Sequence, residues 1–459
     1  MKQFSSSAGI FSWLSGFINY ERGMLPAKSF RLDRMEILAE LAGHPELCAP
    51  CIHIAGSKGK GSVTGMIASV LEAAGRRPAR YMSPHISDFR ERISLGNSFF
   101  DESVYCTAAA ELREIAENKL PAANISLFDP AAEEGEAPTF FELLTLLFFL
   151  CARAGGCDVM VVETGMGGRL DCTNIVIPEA SVITLIELEH TAILGSAIQE
   201  VAGEKAGIIK TGKPLLLGRQ CTEALNVFKK RAAAKNSSLF YFPDIASVEN
   251  LRLNPGGTDF TLVFKDKNYM QHTLPELFIP IPGAVQAENA GLAIAALYTA
   301  FSGIDKKAIK SGLANVKIPA RFEKASFGGG TNEQVFIIDG AHTPQSVSLC
   351  CETFCSLYGE GGILLFGCAA DKNSAAMADV LLGHFSGIII TAPGNFKISN
   401  PEKVYAAFLS DKTVFIKDTG EAIKLVINIS REKKLPVLCT GSFYLASEVR
   451  NILLDYNGV

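Results

Sequence analysis

A chain of 459 residues is too long for one ordinary hydrophobic core and calls for two domains or three. With 48% hydrophobic and 20% charged residues, a formal net charge of −5 and no long Lys/Arg run, it reads as a soluble globular protein. That balance argues against nucleic acid or an anionic membrane as its main partner, so an anionic ligand needs a local basic pocket.

The first apolar segment, AGIFSWLSGFI, is interrupted by serines and has no small-residue cleavage site before NYERG. It is predicted as an amphipathic helix with Phe11, Leu14 and Phe17 or Ile18 on one face, rather than a secretion signal. Twelve cysteines lack the dense, even pattern of a disulfide scaffold and suggest a reducing cytoplasm. The pair in Cys48-Ala49-Pro50-Cys51 has no second Cys/His pair at finger spacing, so structural thiols at a strand entrance are expected, with a redox pair as the alternative.

A β-run from Cys51 to Ala55 leads into Gly56-Ser57-Lys58-Gly59-Lys60-Gly61, and then into SVTGMIASVLEAAG, a helical pattern that stops at Gly75. The spacing misses the Walker pattern of Gly, four residues, then Gly-Lys-Ser/Thr. Even so, strand, glycine turn and helix start are the arrangement in which backbone N–H groups and the helix dipole converge on an anion. Lys60 would add a charge for the β- and γ-phosphates and Ser62 a hydroxyl near phosphate or metal; a glycine-rich turn with solvated lysines is the alternative.

Further along, MSPHISDFRERI puts Ser83, Pro84 and His85 after a second predicted strand, with Arg90 and Arg92 nearby. FFELLTLLFFLCA carries Glu142 and ends at Arg153, too short to span a bilayer, and is expected to be a buried helix. VVETGMGGRLDCTN places Glu163 at a strand end, then a glycine turn, then Arg169, Asp171 and Asn174. A third strand, ASVITLIELEH, ends at His190, and Lys205 follows in GEKAGIIKTGKP. Oxygen donors, a carboxylate and one histidine suit magnesium beside a triphosphate, although a histidine after a strand is often only a satisfied surface or core residue.

From about Leu217 to Ile281 the pattern looks antiparallel, with SLFYF and DFTLVF separated by NPGGT, and the helix AENAGLAIAALYTAF follows. VKIPARFEKASFGGGTNEQ, with Pro319 and three consecutive glycines, is the linker candidate, dividing the chain into domains 1–318 and 319–459. The strands VFIIDG, ILLFG, GIIITA and PVLCTG then alternate with helical patterns. The fold class is α/β with largely parallel sheets, ligands being expected at the carboxyl edges of the strands.

The ordered set GSKGKGS, SPHISDFRERI, PTFFE, ETGMGGRLDCTN, LEHT, GEKAGIIK, QAENA, IPARFE, DGAHTP and TGSF resembles the Mur-ligase superfamily, and within it the folylpolyglutamate synthase/dihydrofolate synthase group. The resemblance implies an N-terminal phosphate-loop-type ATPase domain with a mainly parallel central sheet and a small antiparallel part, plus a C-terminal Rossmann-like α/β domain. It implies ATP-driven ligation of L-glutamate to dihydropteroate or reduced folate through an acyl phosphate, by a cytoplasmic monomer. By similarity, Ser57, Lys58, Gly59, Lys60, Gly61, Ser62, Asn289, Arg321 and Asp339 hold ATP; Ser83, Glu163, His190 and Lys205 serve Mg2+; and Lys60, Lys205 and His342 are catalytic. His342 is expected to share a cleft face with Ser442, and IPARFE to act as a hinge. Lys205 matches a lysine that becomes N6-carboxylysine; an unmodified salt-bridged lysine is the alternative.

For the pterin-bearing substrate the resemblance points to Ser29, Phe30, Arg31 and Leu32, to Thr139, Phe140, Phe141 and Glu142, and to Leu170, Asp171 and Cys172. Aromatic stacking and a carboxylate on the amino-pyrimidine edge are the chemistry expected there, while one of the two phenylalanines simply starts a buried helix. Departures from the family pattern are Ser57-Lys58 for Thr-Asn, Glu189 for Asp, Ala320 for Gly, Thr343 for Asn and Cys172 for Ala. They bear on substrate preference more than on activity. A Mur-type ligase acting on a UDP-sugar peptide, disfavoured because no extra UDP-binding domain precedes the loop, and a nucleotide-binding relative without ligation are the competing readings.

Overall fold

The computed structural model describes residues 4–17, 31–123, 137–265, 273–327, 334–394 and 398–456. Two compact units emerge: the first takes in residues 1–251, 260–279 and 285–317, the second residues 252–259, 280–284 and 318–459.

In the first unit the strands are β1 (Cys51–Ala55), β2 (Pro78–Tyr81), β3 (Ile93–Leu95), β4 (Val159–Glu163), β5 (Ala180–Ile183), β6 (Leu215–Leu217) and β7 (Leu239–Tyr241). They form one sheet in the order β3-β2-β4-β1-β5-β6-β7, parallel except for β3. Both faces are covered, so β1 and β4 are buried along their whole length and read as apolar runs but for His53 within β1 and Glu163 at the end of β4. The helix Phe140–Ala154 supplies much of that cover. Thr139 and Glu142 form a capping box at its start, and its apolar side chains pack with Ile10, Phe11 and Leu14 of the first helix, Ser7–Leu14. Phe17 packs partly buried against the same cluster, whereas Ile18 lies outside the described residues. Among the described residues no helix is long and apolar enough to cross a membrane.

A three-stranded sheet, β10-β9-β8, is built from β8 (Ala246–Asn254), β9 (Gly257–Phe264) and β10 (Thr273–Ile279). The predicted antiparallel stretch is therefore partly corrected. SLFYF, which contributes β7, pairs parallel to β6 in the large sheet, because the helix Thr222–Ala234 carries the chain back across it as a crossover. NPGGT instead turns β8 into β9.

The second unit has β11 (Glu323–Phe327), β12 (Gln334–Ile338), β13 (Gly362–Phe366), β14 (Phe385–Ile390), β15 (Thr413–Phe415) and β16 (Val437–Thr440), ordered β11-β12-β16-β13-β14-β15. All are parallel except β11. Part of the expected linker is thus a strand: EKASF forms β11 against β12, while the three glycines lie outside the described residues.

Candidate active site

Four adjacent strands of the first sheet, β2, β4, β1 and β5, run the same way, so the segments leaving them meet along one carboxyl edge. After β1 comes the Gly56–Ser62 loop, and the helix Lys60–Ala73 starts from Gly59, which is left-handed at φ 88°. That helix is held from behind: Ser69 Oγ donates to the Gly312 carbonyl at 2.6 Å, in the helix Lys306–Ala314. The loop is stapled to the exit of β5. The amides of Ser57 and Lys58 both donate to the Leu185 carbonyl, at 2.9 and 3.1 Å, and Ser57 Oγ donates to the Glu187 carbonyl at 2.9 Å. This explains why ASVITLIEL yields a strand only as far as Ile183: beyond it the chain turns to serve the loop. Asn289 presses on the same turn, because a Cβ at Gly59 would fall 2.7 Å from its Oδ1. Ser62 is buried, while Lys58, Gly59 and Lys60 are half-buried.

Two lysines converge on one carbonyl. Lys60 Nζ and Lys205 Nζ each donate to the Gly56 oxygen at 2.8 Å, and Lys205, 1% exposed, also pairs with Glu189 Oε1 at 2.9 Å. Burial brings the Lys205 ammonium down to a pKa of about 8, with Glu189 opposing that shift and Lys60 adding to it. Burial would raise Glu189, yet Lys60, Lys205 and His190 together outweigh it and hold the carboxyl at about 2. Glu189 figured in the sequence only as a departure from Asp; here it is the counter-ion of the cluster.

The candidate metal donors come from the carboxyl ends of β2 and β4 and from the segment that follows β5. Ser83 comes just after β2, Glu163 ends β4 and is 3% exposed, and His190 starts the helical turn Thr191–Leu194 from a left-handed backbone. Ser83 and Asp171 both approach Gly165, whose Cβ position lies 4.0 Å from Ser83 Oγ and 3.4 Å from Asp171 Oδ2.

Asp171 itself is heavily engaged. Its Oδ2 accepts from the Met166 amide at 2.9 Å, and its Oδ1 accepts from the Thr173 amide and hydroxyl. Since Thr173 Oγ1 donates there, it accepts from His53 Nε2–H at 2.8 Å, which leaves Nδ1 as the unprotonated ring nitrogen. Burial holds His53 neutral, at about 3, and raises Asp171. Sequence reading missed this His53–Thr173–Asp171 chain, whose only signal was a histidine amid an apolar strand.

Among the pterin-site candidates, Ser29 and Phe30 lie outside the described residues. Arg31 pairs with Asp33 at 2.8 Å, and Leu32 packs partly buried against the core. Phe140 is 2% exposed and starts the buried helix, while Phe141 is half-buried, so the expected division between the two falls that way. Leu170 and Cys172 are half-buried. Glu142 differs from expectation. Its Oε1 accepts from Arg34 Nε at 2.9 Å and its Oε2 from the Thr139 amide at 2.7 Å and Arg34 Nη2 at 3.2 Å, with both side chains 4% exposed. The carboxylate is engaged as a structural pair, with no signal in sequence because Arg34 is 108 residues away.

In the second unit, Asp339 ends the β12 segment and accepts from the Phe322 amide at 2.8 Å and the Ala341 amide at 2.7 Å. It thereby fixes a turn in which Ala320 and Phe322 both have left-handed backbones, φ 53° and 48°. The Arg321 guanidinium lies 4.5 Å from the Phe443 ring centroid, and the His342 ring lies 5.7 Å from the same ring. His342 Nδ1 bonds the Gly340 carbonyl at 2.8 Å, so Nδ1 carries the proton. Ser442 is buried and its Oγ accepts from the Tyr444 amide at 3.0 Å.

The family model described as the Mur ligase middle domain matches residues 105–297, and that described as the Mur ligase, glutamate ligase domain matches residues 320–443. With its phosphate-loop sheet and separate second sheet, the chain is thereby a Mur ligase, an ATP-dependent ligase. It is 32% identical over 433 residues to the folylpolyglutamate synthase of Lacticaseibacillus casei, covering 93% of this chain and 95% of that one. Similarity to the dihydrofolate synthase/folylpolyglutamate synthase of Bacillus subtilis is 30% over 448 residues, 96% and 98% of the two chains. The crystal structure of Mycobacterium tuberculosis folylpolyglutamate synthase complexed with ADP and AMPPCP matches with a TM-score of 0.83 at 25% identity, over 97% of this chain and 98% of that one. The chain belongs to the folylpolyglutamate synthase/dihydrofolate synthase family.

Proposed function

We propose that the chain joins L-glutamate to dihydropteroate, to the glutamate tail of a reduced folate, or to both, with ATP as co-substrate. A substrate carboxylate oxygen attacks the γ-phosphorus and ADP leaves; the glutamate amine then attacks the acyl phosphate, expelling inorganic phosphate and one proton as the amide forms. The observation that carries this reading is the pair of lysines on the Gly56 carbonyl at the head of the Lys60–Ala73 helix. Phosphoryl transfer is chiefly positioning and charge neutralisation, which Lys60 and the helix-start amides of Lys60 to Ser62 are suited to supply, while the amides of Ser57 and Lys58 hold the loop to the Leu185 carbonyl.

Ser83 just after β2, Glu163 at the end of β4 and His190 in the segment that follows β5 offer a hydroxyl, a buried carboxylate and an imidazole, a donor set that fits Mg2+. Bound there, the ion supplies positive charge to the phosphates. Lys205 is the proposed N6-carboxylysine. Its pKa of about 8 leaves part of the amine unprotonated near neutrality, able to attack CO2 with loss of a proton, and the product reverses the charge beside Glu189. Asn289, against the loop, and Arg321 and Asp339 in the second unit are assigned to ATP, and His342 to catalysis. Arg31, Leu32, Thr139, Phe140, Phe141, Leu170, Asp171 and Cys172, with Ser29 and Phe30, are assigned to the pteridine end, Glu142 acting there through Arg34. The break between compact units, between Lys317 and Ile318, lies one residue from the proposed boundary at 318/319 and supports it. The net charge of −5 and the twelve free thiols support a cytoplasmic protein that binds no nucleic acid, which we take as a monomer.

The test is to incubate purified protein with ATP, Mg2+ and L-glutamate, offering dihydropteroate and tetrahydrofolate separately, and to track phosphate release and product mass. The expected result is phosphate release coupled to the addition of one glutamyl residue to at least one of them, abolished in K60A. Phosphate release that neither pteridine stimulates, or glutamylation retained in K60A, would overturn the reading.

A further inference from the structure

At the opposite edge of the second sheet from Asp339 and His342 sits a cluster that the ligase chemistry does not use. The helix Pro344–Tyr358 carries Cys351 and Cys355 four residues apart, hence on one face, with their sulfurs 4.0 Å apart. His384 lies in the turn just before β14 and Glu360 in the turn just before β13. One potential ligand atom each from Cys351, Cys355 and His384 falls within 4.8 Å of the others. The Glu360 carboxylate lies outside that set but bonds His384 Nδ1 at 3.0 and 3.1 Å, which fixes the imidazole.

We propose that Cys351, Cys355 and His384, with Glu360 orienting the imidazole, form a binding site for a thiophilic divalent cation of the zinc class. Two thiolates and an imidazole are donors that zinc takes in tetrahedral sites, water filling the fourth position, and a carboxylate on the other ring nitrogen fixes such a histidine. Zn–S bonds of about 2.3 Å at tetrahedral angles put two sulfurs about 3.8 Å apart, close to the separation seen here, so the two thiols need almost no movement.

The alternative chemistry, a disulfide, fits poorly. A disulfide wants Cβ atoms about 3.5–4.5 Å apart, whereas helix positions four apart hold them about 5–6 Å apart. Oxidation would therefore have to distort a helix that is packed through Phe354 onto Phe385, ring centroids 5.7 Å apart. The two turns are already tied together, the Gly361 amide donating to the His384 carbonyl at 2.8 Å, so the donors sit on a preformed frame. Cys351 is buried, but the His384 and Glu360 side chains are 42% and 64% exposed, which gives a cation a way in.

Position decides the role. Asp339 and His342 come after β12, whereas His384 and Glu360 precede β14 and β13, which run parallel to it through β16. A cation there ties the Pro344–Tyr358 helix to the turn before β14 at the amino edge and leaves the carboxyl edge alone, so it is a structural site.

The experiment titrates Co2+ into the reduced, chelator-treated full chain and reads the thiolate-to-cobalt absorption band, then displaces the ion with Zn2+. The expected result is one Co2+ with thiolate ligation per chain. The band should vanish in C351S and C355S, binding should weaken roughly tenfold or more in H384A and E360Q, and C48S should leave it intact. Zn2+ should also raise the melting temperature of the wild type and not of C355S, with glutamate ligation unchanged by C355S. Absence of the thiolate band in the wild type, its persistence in a folded C355S, or a Cys351–Cys355 disulfide in place of cation binding would overturn the proposal.

Discussion

Replacing Glu142 by Gln separates a structural carboxylate from one that meets substrate. Gln at the third position of the Phe140–Ala154 helix can still cap it, while the change removes the charge and turns one acceptor on Arg34 into an amide N–H2 donor. Arg34, whose side chain is 4% exposed, then faces an uncharged amide. Breaking a buried ion pair by removing one partner costs about 3–5 kcal/mol. A unit of roughly 300 residues unfolds with an entropy of about 0.6 kcal/mol/K, so the melting temperature should fall by about 5–8 °C. Replacing both partners, as in R34M/E142M, removes the uncompensated charge and should recover most of that loss. Thermal unfolding by circular dichroism or calorimetry gives the numbers, and steady-state kinetics with each pteridine gives KM. A fall of less than about 1 °C in E142Q, together with a raised KM for the pteridine, would refute the reasoning and return Glu142 to the substrate site.

The Lys205–Glu189 pair carries a pH signature. Lys205 is displaced downward from 10.5 to about 8, so between those values the unfolded chain holds a proton that the folded one does not, and stability should rise with pH across that window. Glu189 is displaced downward from 4.5 to about 2, so its contribution is present above 4.5 and is lost as the pH falls toward 2. Melting curves of the wild type against K205M and E189Q check this, and equal alkaline slopes in the wild type and K205M would dismiss the first claim. Gly56→Ala should lower stability by about 1–3 kcal/mol, because its Cβ would fall 1.8 Å from Thr184 Oγ1 at a backbone φ of 148°. T184A in the same chain should recover part of that, as read by denaturant melts; no recovery would mean that backbone strain alone sets the cost.

What the sequence disclosed and what it hid divide along contact range. The largely apolar runs of β1 and β4 and the glycine turn after β1 are local signals, and each appears in the structure where the pattern put it. SLFYF is three residues of strand whose partner is decided by the crossover before it, and alternation cannot report that. Arg34 and Glu142 are paired by the tertiary fold alone, as are His53 and Thr173, 120 residues apart. Cys351 and Cys355 at helical spacing were visible, but His384 reaches them only because β13 and β14 are neighbours.

The substitution of Ser57-Lys58 for Thr-Asn in the loop has a physical reading. Both residues commit their amides to the Leu185 carbonyl, and Ser57 commits its hydroxyl to the Glu187 carbonyl. They act as the staple that joins the loop to the β5 exit, a task for backbone and a short hydroxyl that Ser performs as Thr does. Lys58 stands close enough to Glu187 to oppose the upward push that burial exerts on that carboxyl. Its charge is thus balanced at the rim of the site. In the first turn of the helix the amides from Lys60 to Ser62 have no partner within the helix, since Val63 is the first to bond back, to Gly59, and such a helix start is in general a site that attracts anions. The loop departs from Walker spacing, and its carbonyl at Gly56 is occupied by two lysines, one from the loop and one from Lys205, 149 residues along the chain. A Walker loop draws its phosphate lysine from its own turn; here a second lysine reaches the same loop from the end of the helix Ile198–Lys205, with Glu189 as its counter-ion.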